Sequence, residues 1–293
     1  MENKLIKKNR TKIILLGVIG IILITFIIWV AWGNKALELN MYNISSNELP
    51  KEFDGFRIAQ VSDLHNAEMG KDNQKLISML KDAEPDIIVI TGDMIDSRNT
   101  NVDIALAFAE KAMQVAPCYY VTGNHESRVN EYDALKEGLN RLGVTVLEDA
   151  KTELVVSGEK ITLIGVNDPT FTSRLLERDE IEKLIDEKFK MLTSEEDGFT
   201  VLLSHRPELF DIYVKNDVDL VFSGHAHGGQ IRLPFVGGIY APNQDFFPEY
   251  DGGLYTRDNT NMVVSRGIGN SRFPFRVNNR PEVVLVELSA ESE

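Results

Sequence analysis

Five short apolar runs, FRIAQV, DIIVIT, CYYVT, FTVLLS and DLVFS, each stop at polar residues able to do chemistry, and this recurrence restricts the fold more than any single motif. The first three alternate with amphipathic stretches near 73–83, 102–115 and 131–142, and VTVLE follows. Strand, polar loop, helix and strand in that order predict an α/β fold with largely parallel pairing in the first half. The second half is richer in strands. TELVVSGEKITLIGV predicts a hairpin about Ser157-Gly158, ERDEIEKLIDEKFKML a charged helix, and NMVVS and EVVLVEL further strands. ALELNMYNISS reads as a strand ahead of FRIAQV. With no solenoid-period repeat and no low-complexity linker, the expectation is one mixed α/β domain over residues 37–288.

The strand ends carry the chemistry. FRIAQV ends in SDLH, with Asp63 and His65; DIIVIT in GD, with Asp93; CYYVT in GNHE, with Asn124 and His125. FTVLLS ends in HRP, with His205, and DLVFS in GHAH, with His225 and His227. These are all five histidines of the chain. Each lies beyond the carboxyl end of an apolar strand, where open α/β sheets collect ligand-binding residues in one crevice. A single Asp or Asn there is usually a turn or cap residue. Every histidine so placed, accompanied by oxygen donors, points instead to a shared site. In an extended strand His225 and His227 project to the same side.

Imidazoles, carboxylates and an amide oxygen without thiolate suit Mn²⁺, Fe²⁺, Zn²⁺ or Mg²⁺, and the set is too large for one tetrahedral zinc. Two ions are implied, because a pair about 3.5–4 Å apart can share a carboxylate and activate a water for phosphoryl displacement. The only cysteine, Cys118, excludes an intrachain disulfide and a zinc knuckle, and its APCYYVTG setting reads as a buried strand.

Residues 13–33, IILLGVIGIILITFIIWVAWG, contain no charge and are long enough to cross a hydrocarbon core about 30 Å thick. The run exceeds a signal-peptide core and no A-x-A-like site follows it, so the expectation is an uncleaved signal anchor. Residues 1–12 hold five basic side chains against Glu2, a net +4, which leaves about −18 of the total −14 for the rest. The positive-inside rule then places residues 1–12 in the cytosol and the body outside it, as a single-pass cell-membrane protein. An acidic body of this kind repels nucleic acid, so no nucleic-acid scaffold is expected.

The order D-x-H, G-D, G-N-H-E, H, G-H-x-H resembles that of the calcineurin-like metallophosphoesterases across nearly the whole body. FDGFRIAQVSDLHN, GHAHGGQIRLP and VSRGIGNSRFPFR resemble the membrane-associated branch of YkuE-type and YaeI-type phosphoesterases. The resemblance implies a four-layer αββα sandwich of two mixed sheets and a dinuclear centre at one edge, holding Mn, Fe or Zn. It implies that Asp63, His65 and His227 hold one metal and Asn124, His205 and His225 the other, with Asp93 bridging. His125 is then the non-ligand histidine that stabilises phosphorane charge or protonates the leaving oxygen, worth about 10²–10⁴-fold. A metal-bridging hydroxide, rather than a side chain, is the implied in-line nucleophile. Asp96 resembles the second acid of G-D-x-x-D and is expected to orient His125 or to cap a helix. GDMID lacks the tyrosine of purple acid phosphatases, and Arg98 is displaced by one residue from the arginine of protein phosphatases, which argues against a phosphoprotein substrate.

LPFVGGIYAPNQDFFPEYDGGLY is rich in glycine and aromatics and reads either as ordinary packing or as an apolar wall beside the metals. Together with the tether it favours a phosphoester, mono- or diester or pyrophosphate, on a lipid-linked or cell-envelope substrate. The alternatives are the same chemistry on soluble phosphodiesters or nucleotides, and a non-catalytic envelope-binding module. Nothing in the sequence fixes the oligomeric state.

Overall fold

The computed structural model describes residues 2–193, 198–270 and 273–291. Met1, at the head of the basic flank, and residues 271–272, inside the VSRGIGNSRFPFR stretch, lie outside the described residues. Helix α1 (Glu2–Gly33) precedes the body. Its portion Lys12–Gly33, 22 residues with mean hydropathy 3.1 and no buried share, is long and apolar enough to cross a membrane.

The body contains β1 (Glu38–Ser46), β2 (Arg57–Val61), β3 (Ile87–Thr91), β4 (Cys118–Val121), β5 (Thr145–Val146), β6 (Ala150–Val156), β7 (Glu159–Gly165), β8 (Thr200–Leu203) and β9 (Leu220–Ser223). Two small hairpins follow, β10 (Arg232–Leu233) with β11 (Gly237–Gly238), and β12 (Tyr240–Ala241) with β13 (Asp245–Phe246). Strands β14 (Gly253–Arg257), β15 (Thr260–Val264) and β16 (Glu282–Ala290) complete the chain.

Two six-stranded sheets result, β1-β16-β2-β3-β4-β5 and β14-β15-β9-β8-β7-β6. Strands β2 to β5 are mutually parallel, as are β7, β8, β9 and β15; β16–β2, β6–β7 and β14–β15 are antiparallel. Period-2 alternation decides which core each side chain enters. In β3, Ile87 and Val89 join the core between the sheets, while Ile88 and Ile90 join the one beneath the helices. In β8, Val201 and Leu203 face the other sheet and Leu202 faces outward. Helices α2 (Gln74–Ala83), α3 (Val102–Ala112) and α4 (Tyr132–Leu142) cover the first sheet, and α5 (Arg178–Thr193) and α6 (Phe210–Lys215) the second. The αββα sandwich of mixed sheets expected from the sequence is therefore the fold.

Local departures have local causes. Helix α3 stops at Ala112 rather than 115, because Gln114 and Val115 bond back three residues, to Lys111 and Ala112, in a tightened turn ahead of Pro117. VTVLE yields only the two-residue β5. The hairpin expected at Ser157-Gly158 is present, with both residues left-handed, φ 52° and 98°. The end of α1 is fastened to the body: Asn34 Nδ2 donates to the Arg276 carbonyl (2.8 Å), Arg276 N–H donates to Asn34 Oδ1 (2.7 Å), and the Arg280 guanidinium lies 5.3 Å from the Trp32 ring centroid.

Candidate metal centre

The parallel strands of both sheets deliver their carboxyl ends to one edge of the sandwich, and the polar loops beyond β2, β3, β4, β8 and β9 meet there. Two buried clusters form, Asp63 with His65 and His227, and Asp93 with His205 and His225. Asp93 connects them, its Oδ2 lying 3.5 Å from His65 Nε2 and 3.3 Å from His205 Nε2. Asp63 Oδ1 is 3.2 Å from His227 Nε2 and has no hydrogen-bond partner although it is buried.

The donor set fits cations better than a hydrogen-bond network. His205 Nδ1 donates to the Thr91 carbonyl (2.7 Å) and His225 Nε2 to Asn243 Oδ1 (2.9 Å), so His205 Nε2 and His225 Nδ1 turn lone pairs toward each other across 3.2 Å. His65 Nε2 and His227 Nε2 likewise converge at 3.1 Å. Asn124 sets its side-chain oxygen 2.8 Å from His225 Nδ1 and its nitrogen 3.1 Å from Arg128. Hydrogen bonding alone favours the reversed amide, whereas a cation between the two acceptors requires the orientation seen. Burial opposes ionisation of Asp63 and Asp93, yet the surrounding imidazoles hold both carboxyls well below the usual range. Burial disfavours the His205 cation, but Asp93 and Asp63 raise this group to about 10, so its Nε2 would offer a lone pair only where a cation displaces that proton.

These residues also share an uncommon backbone conformation. Asp63, His65, Asp93, His225 and His227 all have positive φ, between 46° and 65°, a region that costs most side chains of order 1–3 kcal/mol. The same-side expectation for His225 and His227 therefore fails: β9 ends at Ser223, and both histidines sit on a left-handed loop that turns one toward each cluster. Gly228 and Gly229 share the positive φ (63° and 67°), and a Cβ on Gly224 would sit 2.5 Å from Asp63 Oδ2.

His125 borders both clusters, its ring centroid 4.4 Å from that of His65. Its Nδ1 accepts the Ser97 N–H (3.0 Å), which leaves Nε2 as the protonated nitrogen of the neutral ring. Burial pushes this imidazole down to about 4. Asp96 Oδ1 is 3.5 Å from the same Nδ1, and Asp96 also accepts from Arg98 Nε and Nη2 at 2.9 and 2.6 Å. Asn101, not Asp96, caps α3 through Asp103 N and Ile104 N.

Several supporting residues were not singled out from the sequence. Glu126, the last residue of GNHE, accepts N–H bonds from Asp93, Ile95 and Gly123 and so ties the end of β3 to that of β4. Asn243 receives both His225 Nε2–H and Arg206 Nη1 (2.7 Å), and Arg206 is held by Asp168 at 2.5 and 3.0 Å. Asn279 Nδ2 donates to the His227 carbonyl (2.8 Å), and the buried Arg276 donates to the Arg266 and Gly269 carbonyls. The one available signal was that GNHE and HRP each continue past the residue already noticed, to Glu126 and Arg206, and that VSRGIGNSRFPFR ends in Arg276. A cavity of about 340 Å³ opens over the clusters, and of the aromatic stretch after β9 only Tyr240, Pro242 and Asn243 line it. The expected wall is thus confined to one hairpin, and the other aromatics face away.

An αββα sandwich with paired His/Asp clusters at the strand ends is the architecture of a dinuclear metal-dependent hydrolase. The sequence profile of the calcineurin-like phosphoesterases matches residues 56–229. The chain is 30% identical over 261 residues to the uncharacterized metallophosphoesterase YkuE of Bacillus subtilis (strain 168), covering 87% of this chain and 86% of that one. It is 27% identical over 244 residues to the phosphodiesterase YaeI of Escherichia coli (strain K12), covering 80% and 82%. Among solved structures, TT1561 of Thermus thermophilus matches with a TM-score of 0.51 at 14% identity, covering 73% and 90%. The chain belongs to the calcineurin-like phosphoesterase family and is a phosphoester hydrolase that works with two divalent metal ions.

Proposed function

We propose that this chain is a single-pass membrane phosphoesterase whose catalytic domain faces away from the cytosol and acts on lipid-linked or cell-envelope phosphoesters. Asp63, His65 and His227 hold one ion, Asn124, His205 and His225 the second, and Asp93 both. Bound there, the ions supply Lewis acidity and an activated water. The protein's own contribution is positional. Ser97 fixes the His125 tautomer so that Nε2–H is available to phosphoryl charge or to the leaving oxygen. Asp96, 3.5 Å from the same ring, adds a negative charge behind it.

The observation that carries the substrate reading is a groove of about 670 Å³ between the span and the site. Phe26, Ile27 and Val30 of α1 form one side, and Met69, Ile268 and Phe275 of the body the other. Gly269 lines this groove and also packs on the metal-site loop, where a Cβ would meet His65 Cβ at 2.8 Å. An apolar chain leaving the bilayer along α1 therefore arrives one residue away from the metal centre.

Full-length protein in detergent, loaded with Mn²⁺, tests both levels against bis-p-nitrophenyl phosphate and a membrane lipid extract. His125→Ala is expected to retain metal and lose about 10²–10⁴-fold in turnover, whereas Asp93→Ala loses metal. The reverse pattern refutes the roles, and equal or faster turnover of soluble diesters than of the extract removes the lipid reading.

A further inference from the structure

All six exposed aromatic side chains of the body among the described residues, Phe235, Tyr240, Phe246, Phe247, Phe273 and Phe275, fall within one stretch of the chain. Phe235, at the tip of the β10–β11 hairpin, is fully exposed, and Val236 beside it is more than half exposed. Phe246 and Phe247 stand 68% and 64% exposed at the open end of the β12–β13 hairpin, across from Tyr240 and Ile239. Scattered single apolar residues on a surface are ordinary, but two neighbouring hairpins that gather a protein's exposed aromatics mark a binding surface.

Their connections say what they face. The first hairpin is joined to segment 273–280: Ile231 pairs with Val277, Arg232 N–H donates to the Val277 carbonyl (3.0 Å), and Gln230 Nε2 donates to the Phe275 carbonyl (3.1 Å). That same segment grips the end of α1 through Arg276 with Asn34 and Arg280 with Trp32. The second hairpin begins at Tyr240, which lines the metal cavity, and Tyr240 pairs with Phe246 at a ring separation of 5.5 Å. These aromatic positions are thus tied by short contacts both to the emerging end of the apolar helix and to the mouth of the site.

We infer that the tip of the first hairpin, Phe235-Val236, and the aromatic edge of the second, Phe246-Phe247, insert into the interfacial region of the bilayer that α1 enters, setting the mouth of the metal cavity against the lipid surface. The occupant of this face is a phospholipid surface rather than a second copy of the chain, because the patch is continuous with the span, where aromatic side chains sit at headgroup level. The inference rests on the membrane-anchored reading above, and its test separates the two.

Full-length chain is reconstituted in phosphatidylcholine–phosphatidylglycerol liposomes containing doxyl-labelled lipid. A bimane label is placed at Phe235→Cys, at Phe246→Cys, or at Val155→Cys, an exposed position on β6; the native Cys118 is buried and stays unlabelled. The two native tryptophans, Trp29 and Trp32, report the helix independently. Unchanged melting temperatures establish that the variants are folded. Labels at 235 and 246 are expected to be quenched at least about twofold more than the label at 155, as for groups seated 5–10 Å into the interface. Quenching of the tryptophans with labels at 235 and 246 no more quenched than that at 155 overturns the docking while leaving the anchor intact. Quenching of neither overturns both. Energy transfer between labelled copies without lipid quenching assigns the face to a second chain and likewise overturns the inference.

Discussion

Gly224→Ala tests whether the strand-end glycines are there for close approach. Gly224 carries no left-handed φ, so the substitution adds volume without backbone strain. The new Cβ would stand 2.5 Å from Asp63 Oδ2 and closer still to Ser62 Oγ, where ordinary contact begins at 3.4 Å. The carboxylate must therefore retreat by about 0.9 Å (3.4 minus 2.5), several times the roughly 0.2 Å that metal–ligand distances tolerate. Overpacking of a closed core costs about 1–3 kcal/mol, and the Ser62 Oγ to Asp63 Oδ2 hydrogen bond (2.6 Å) is lost with it. A total of roughly 3 kcal/mol corresponds to a fall in melting temperature of about 6–12 °C for a body of this size. Thermal melts and metal analysis of purified protein read both effects, and bound metal is expected to fall from two ions to about one. Gly55→Ala is the control: φ is +80° with nothing within 4 Å, so it costs about 1–2 kcal/mol and leaves metal content intact. A Gly224→Ala protein that melts with wild type and keeps both ions refutes the reasoning.

Two further outcomes follow from buried groups. Burial opposes the Asp168 charge, but the Arg206 guanidinium holds the carboxyl well below its usual range, so its contribution is fully present above about pH 4 and is lost as pH falls further. Arg206→Met leaves that charge unpaired at a cost of about 3–5 kcal/mol, and the melting difference from wild type should narrow between about pH 7 and pH 4 as Asp168 takes up a proton; a constant difference refutes the pairing. Burial pushes the Cys118 thiol up to about 12, so iodoacetamide at about pH 8 should leave the native protein unmodified and label it fully in concentrated guanidinium chloride. Native labelling at the denatured rate refutes the buried assignment.

The fold was legible because its causes are local. FRIAQV, DIIVIT and FTVLLS are apolar on both faces, and the structure buries both faces of β2, β3 and β8, one against helices and one against the other sheet. Strand ends were legible for the same reason. The supporting residues were not: Asp168, Arg206, Asn243 and Arg276 are types that usually mark turns or solvated surface, and only tertiary approach gives them a partner. The aromatic stretch misled in the opposite way, since composition cannot distinguish a side chain aimed into a cavity from one held out on a hairpin tip.

The deeper omission is the backbone. Left-handed conformations at five of the clustered residues were not read from the sequence: all five are Asp or His, types enriched in that region but far more often found outside it. What sustains them is reciprocal: His65 N–H donates to the Asp93 carbonyl (3.0 Å), His125 N–H to Asp93 Oδ1 (2.7 Å), and His225 N–H to Asp63 Oδ2 (3.0 Å). Each loop is therefore held by the side chain or carbonyl of another, across separations of up to 162 residues. Ions binding only to this interlocked arrangement add their binding free energy to folding, and removing one carboxylate loosens both clusters at once. Asp93 is the extreme case, since it faces both clusters with Oδ2 and restrains the His125 backbone with Oδ1.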